Sequence, residues 1–269
     1  MPFERVKYEV RYGHYSGNVV GRFLEYDPAL TFRNRRGASF PDVNVEINSL
    51  GLRGPEISIE KPEGVLRVLC LGDSCTFGGP HPYPEMLQVN LDRRAPRRFQ
   101  VLNGGVIGYT SVHGLAWLEN ELERLRPDVV TLYFGWNDMW REKDSAVREW
   151  FRSRVEGRPT PLVRSRLWET ASRSLVFLQH TFGFAELQVP PEKYGAALRA
   201  FARIGRANGF KPIYVTAPSG FTGDHTPEWL VRQGFVARGD SAPRLRRTYN
   251  QVVAEVARLE NLPLADAAA

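Results

Sequence analysis

The chain has 269 residues, enough for one large α/β domain and a smaller appendage. With 42% hydrophobic and 25% charged residues, its composition is that of an ordinary globular protein and excludes a fibrous or low-complexity chain. The net charge of +6 is dispersed, as in Arg93-Arg94, Arg97-Arg98 and the trio Arg244, Arg246 and Arg247. No nucleic-acid motif accompanies it, so solvated helix faces account for the arginines and no nucleic-acid partner is expected.

No stretch reaches the apolar length of a membrane span, and Met1–Lys7 lacks a signal-peptide apolar core. A cytoplasmic location is the default expectation. Cys70 and Cys75 are the only cysteines. They fall on a strand and on the helix after it, so both are expected reduced and packed, without a bridge.

Residues 1–64 are rich in Tyr, Phe, Gly, Asn and Pro and show no helical period. Val43–Asn48 alternates as a half-buried strand does. Ser49-Leu50-Gly51 then turns the chain into Leu52-Arg53-Gly54-Pro55. The expectation is a β-rich N-terminal arm or subdomain over residues 1–64, with a short linker from Ile57 to Gly64. A second domain, residues 65–269, then alternates strand and helix. Its first strand is Leu66–Leu71, an apolar run broken only by Arg67. Helices are expected around Pro84–Leu91 and over Ser111–Arg124, and strands over Phe99–Asn103 and Asp128–Phe134. A Trp-, Phe- and Arg-rich region from Trp140 to Val189 is expected to add helices. Next come a helix over Pro191–Asn208 ended by Gly209, a strand over Lys211–Ala217, a long loop over Pro218–Ala242 and a helix over Pro243–Glu260. Leu262–Ala265 begins a fifth strand. This alternation predicts an α/β fold with a doubly wound, mostly parallel five-stranded sheet.

Polar residues gather where three of these strands end. The first ends in Gly72-Asp73-Ser74-Cys75-Thr76. Asp73, Ser74 and Thr76 are all good helix N-caps, so Ser74 reads equally as a cap or as a reactive hydroxyl at the carboxyl edge of the sheet. The second ends in Asn103-Gly104-Gly105-Val106-Ile107-Gly108, and the third in Gly135-Trp136-Asn137-Asp138. In residue type, order and spacing the three stretches resemble the first three motif blocks of the SGNH (GDSL-type) hydrolase family, over roughly Leu66 to the C-terminus. Cys75 departs from that pattern, where the family usually has Leu.

The resemblance implies a flavodoxin-like sheet and a serine hydrolase of acyl esters, an acetyl group on a carbohydrate being one such ester. It assigns Ser74 as nucleophile. The Ser74 and Gly108 backbone N–H groups and the Asn137 side-chain amide become oxyanion donors. Without the resemblance, Gly108 is a turn glycine and Asn137 a loop residue bonding its own backbone. Asp73 and Asp138 are expected to hold turns and caps. Asn48–Gly54 is similar to a segment preceding the catalytic domain in some members; by its residues it is a tight turn with structural glycines. No cofactor or metal is implied, since no His/Cys/carboxylate cluster is present.

The family's fourth landmark, an Asp-x-x-His near the C-terminus, is not found. None of His14, His81, His113, His180 and His225 has Asp three residues before it. Two accounts stay open: the Asp-His segment lies beyond residue 269, leaving Asp266 as a strand-end residue, or His225 reaches the site from the loop after the fourth strand. His81 and His113 follow the first two blocks and read either as pocket-lining or as surface and packing residues. Two other classes compete with the hydrolase: an SGNH-like domain without a base that binds a glycan or acyl ligand, and a flavodoxin-like nucleotide binder, which lacks a phosphate-cradling glycine loop.

Overall fold

The computed structural model of the chain describes residues 20–141, 186–221, 223–232 and 234–269. The expected helices between Trp140 and Val189 lie almost wholly outside these residues. In the N-terminal segment a one-turn helix α1 (Val20–Phe23) leads into β1 (Leu24–Asp27) and β2 (Thr31–Asn34), an antiparallel hairpin. Asp27 closes its turn by accepting the Ala29 and Leu30 N–H groups at 2.8 and 3.0 Å. A second antiparallel pair joins β3 (Ser39–Phe40) to β4 (Val45–Glu46). The strand expected over Val43–Asn48 is thus reduced to two residues. Pro41–Val43 winds into a 3-10 turn, and Asn44, with φ 53°, breaks the extended run.

The alternating part follows as β5 (Leu66–Gly72), α2 (Ser74–Phe77), α3 (Tyr83–Arg94), β6 (Phe99–Gly105), α4 (Ser111–Leu125), β7 (Val129–Tyr133), α5 (Pro191–Asn208), β8 (Lys211–Val215), α6 (Glu228–Arg232), α7 (Ala242–Leu259) and β9 (Leu264–Ala265). The five strands make one parallel sheet in the order β6-β5-β7-β8-β9, flanked by helices. β5 is paired on both sides and buried from Arg67 to Gly72. α6 was hidden in the sequence, where Pro218–Ala242 reads as loop. Five residues carry no measurable period, and only Leu230 of this helix is buried.

By its contacts the chain divides into two compact units. One comprises residues 1–109, 113–133 and 203–213; the other comprises 110–112, 134–202 and 214–269. In the first, Arg67 of β5 is fully buried although it is charged. Its guanidinium donates to Gln100 Oε1 (2.8 Å) and to the carbonyls of Leu125 (2.7 Å), Ile59 (3.1 Å) and Ser58 (3.1 Å). Its backbone N–H donates to Asp128, whose carboxylate also takes Lys61 at 2.8 Å. In the second unit, α7 packs Arg246, Tyr249, Val253 and Val256 inward. Arg246 is therefore a correction to the solvated arginine trio. It is 2% exposed, lies over the Trp136 ring at 5.0 Å and donates to Asn250 at 3.0 Å, while Arg244 and Arg247 stay in water.

Among the described residues no helix is long and apolar enough to cross a membrane. Both cysteines are free, Cys70 buried and Cys75 half-buried. Burial pushes the Cys70 thiol up to about 11.

Arg67→Ala strips three backbone carbonyls of their donor, and an unmet buried acceptor costs about 1–3 kcal/mol. A loss of about 3 kcal/mol or more in urea unfolding is expected; a loss below about 1 kcal/mol would show that water takes over the guanidinium's bonds.

Candidate active site

Ser74 is the first residue of α2 and is exposed. The cap reading of Ser74 is corrected here. Asp73 is the N-cap: its carboxylate, fully buried, accepts the Cys75 N–H at 2.8 Å. Among the described residues no hydrogen bond takes up the Ser74 hydroxyl; only its carbonyl is engaged, by the Gly78 N–H at 2.8 Å.

The second motif block lies against this turn. Gly72 and Gly105 are register partners at the ends of β5 and β6, and the Val106 N–H donates to the Gly72 carbonyl at 3.1 Å. A Cβ on Gly105 would stand 2.6 Å from the Thr76 carbonyl carbon, and one on Gly72 would stand 2.5 Å from the Tyr133 oxygen. Neither strand end can therefore carry a side chain. Beyond them Gly108, half-buried, holds φ at +88°. Phe32 of the N-terminal hairpin lies 3.5 Å from where its Cβ would be. Asn34 of the same hairpin donates to the Gly105 carbonyl at 2.9 Å. These supports were not legible beforehand, because nothing in the local sequence of Phe32 or Asn34 refers to residues some 70 positions away.

The third block belongs to the other unit. The buried Asp138 carboxylate accepts the Gly135 N–H (3.0 Å), the Ser111 N–H (3.0 Å) and the Ser111 hydroxyl (2.5 Å). It thus ties the turn after β7 to the start of α4. Asn137 is half-buried within this turn, whose Trp140 N–H donates to the Asn137 carbonyl. Next to it Trp136 packs against Trp140 with the rings tilted by 37° at 5.6 Å and meets Phe221 edge-on at 5.8 Å.

The histidines separate clearly. His225 is exposed in the connection from β8 to α7, beside Asp224, which is bound to Arg247 and held below the usual carboxylate range by that bond. His81 is exposed. His113 is 1% exposed and stacked on Tyr109 at 5.1 Å, with Phe32 at 5.6 Å, as a packing residue would be. His14 and His180 lie outside the described residues. Asp266 accepts the Thr216 hydroxyl at 2.6 Å, as a strand-end residue. Among the described residues no group of His, Cys, Asp and Glu could hold a metal ion. A cavity of about 550 Å³ opens at the amino edge of the sheet, lined by Lys61, Leu122, Arg126, Asp128 and Asn208, and involves none of the motif residues.

A model of the GDSL-like lipase/acylhydrolase family matches residues 70–269. No curated protein matches the chain. Among solved structures the chain is similar to LAE5, an α/β hydrolase from the metagenome of Lake Arreo, Spain, at 21% identity over 76% of this chain and 77% of that one, with a TM-score of 0.47. It is also similar to a mutant of Axe2, an acetyl-xylooligosaccharide esterase from Geobacillus Stearmophilus (18% identity, 76% of each chain, TM-score 0.46). A third is a lipase/acylhydrolase from Enterococcus faecalis (19%, 74% and 75%, TM-score 0.43).

Burial alone lowers the His113 pKa to about 3. The unfolded imidazole takes up its proton near pH 6.5, so between about 6.5 and 3 the unfolded chain binds more protons than the folded one. Stability therefore rises with pH across that window and is lost as pH falls through it. Thermal unfolding from pH 7 to 4 should show this decline, and His113→Phe should flatten it; an unchanged slope in the variant assigns the decline to other groups.

Proposed function

The chain belongs to the GDSL-like lipase/acylhydrolase family, a family of acyl-ester hydrolases, and from that premise we propose that it is a serine esterase with Ser74 as nucleophile. The observation that carries this reading is the exposed residue Ser74 at a strand-to-helix turn whose cap is supplied by its neighbour. A serine relieved of capping has no structural task in that place.

In this mechanism the Ser74 hydroxyl oxygen attacks the ester carbonyl and its proton passes to a base. The carbonyl oxygen becomes an oxyanion held by the backbone N–H of Ser74, the backbone N–H of Gly108 and the side-chain amide of Asn137. Collapse expels the alcohol, which takes its proton from the base, and water then hydrolyses the acyl-serine by the same steps in reverse. The positive φ of Gly108 and the tight turn around Asn137 support fixed donors in these roles. The base is an imidazole, and within the chain the candidate is His225, which is exposed in the connection after β8. The substrate is a small acyl ester, with an acetylated carbohydrate as the form to test.

Ser74→Ala should abolish p-nitrophenyl acetate hydrolysis with a change in unfolding free energy within about 0.5 kcal/mol. Asp73→Ala should cost about 1 kcal/mol through the lost cap. Retained hydrolysis with lowered stability in Ser74→Ala would reverse the assignment.

His225→Ala should silence the enzyme, read as loss of p-nitrophenyl acetate turnover. A full rate that survives this change assigns the base elsewhere. An inactive wild type in which Ser74 still labels with a fluorophosphonate points to a binding domain.

A further inference from the structure

Arg53 is 8% exposed and comes from the N-terminal segment, not from the strand-to-helix turn that carries Ser74. Its backbone N–H donates to the Asn103 carbonyl at 2.9 Å, which anchors it to β6. From there its guanidinium spans the end of α2. Nη1 donates to the carbonyls of Phe77 (2.6 Å) and Gly78 (2.5 Å). Nη2 donates to those of Gly79 (2.8 Å) and Asn44 (3.3 Å). The guanidinium carbon lies over the Phe77 ring at 4.9 Å. Asn103 adds a further donor to the Phe77 carbonyl at 3.3 Å.

α2 has only four residues. A helix of one turn does not hold itself together, because its nucleus fixes several dihedrals for very few bonds. Its final carbonyls have no partners in the helix. Here one planar fork meets three consecutive carbonyls, at the end where the helix dipole is negative. The linkage back to Ser74 is one peptide long. The Gly78 N–H donates to the Ser74 carbonyl at 2.8 Å, and the carbonyl of the same Gly78 residue is held by Arg53. The turn is thus fixed at its start by Asp73 and at its end by Arg53.

We propose that Arg53 is a positioning residue for Ser74: by clamping the carbonyls of Phe77, Gly78 and Gly79 it fixes the turn that presents the nucleophile. This rests on the reading of Ser74 as nucleophile. It makes the N-terminal segment part of the machinery of the reaction without touching substrate. Among the described residues Arg53 forms no ion pair, and the acceptors of its guanidinium are backbone oxygens. Lysine at this position would bring the charge but not the fork, and one ammonium cannot meet three carbonyls in that plane.

The test compares wild type, Arg53→Lys, Arg53→Ala and Ser74→Ala by p-nitrophenyl acetate kinetics, by the rate of fluorophosphonate attachment to Ser74 and by thermal unfolding. A displacement of about 1 Å in a reacting group costs up to about 100-fold in rate. Arg53→Lys should therefore lower kcat and the labelling rate by about 10-fold or more with KM within about twofold of wild type. Methylguanidine at millimolar concentration should restore part of both rates in Arg53→Ala, which a general loss of stability would not permit. A folded Arg53→Lys with wild-type kcat and labelling, or with a loss confined to KM, overturns the proposal. If Arg53→Ala does not fold, Arg53→Lys decides alone. Retained hydrolysis in Ser74→Ala instead removes the nucleophile assignment, and the comparison of the two variants tells these failures apart.

Discussion

The ends of β5, β6 and β7 come together around residues that have no side chains. Gly72 sits under the Tyr133 carbonyl, and Gly105 sits against the backbone of Thr76 and Phe77. Backbone-to-backbone approach at this range allows nothing larger than hydrogen. The rest of the arrangement depends on it. α2 can fold back tightly over β6 only because Gly105 leaves the space, and that tight return is what turns Ser74 outward instead of into the sheet. The same approach lets Val106 bond to Gly72 just past the paired strands and sets the direction of the chain toward Gly108.

Charge is handled in an unusual way around these strand ends. Buried Asp138 and Asp73 take backbone N–H groups and a hydroxyl, and buried Arg53 and Arg67 give chiefly to backbone carbonyls. A buried charge must be met by other polar groups or it costs several kcal/mol. Here the partners are mostly peptide dipoles, so each charge locks a stretch of main chain in place where an ion pair would lock another side chain. Loops without regular structure, such as residues 58–59, 78–79 and 135–138, gain in this way the fixed geometry that strands and helices have by their own hydrogen bonds.

Much of this was readable beforehand because it follows from local pattern. Leu66–Gly72 is apolar and stops at glycine; Pro191–Asn208 starts with proline and ends before Gly209, and the helix has those bounds. The family was legible from three short blocks in order. What escaped detection depends on contacts across long sequence distances. Arg53 looks like one more turn residue in Asn48–Gly54, and Arg246 like one of three surface arginines. Their burial is decided by Phe77 and Trp136, which the local sequence does not mention. α6 escaped because five residues cannot show a helical period. Ser74 could not be told from a cap because Asp73, Ser74 and Thr76 are alike in that ability; only the hydrogen bond of Asp73 decides.

The N-terminal hairpin has a consequence for the order of events during synthesis. Asn34 docks on Gly105, 71 residues later in the chain, and Arg36 docks on Glu121, 85 residues later. At about 5–20 residues per second, the ribosome needs roughly 4–14 s to make the first of these partners. A two-stranded hairpin is at best marginally stable alone. During that wait Phe23, Leu30 and Phe32, all buried in the finished protein, face water. This hairpin is therefore made well before it can dock, since its partners at residues 105 and 121 come later in the chain. The turn carrying Ser74 likewise meets β6, and the Arg53 N–H its partner Asn103, only once residues 99–105 have been made.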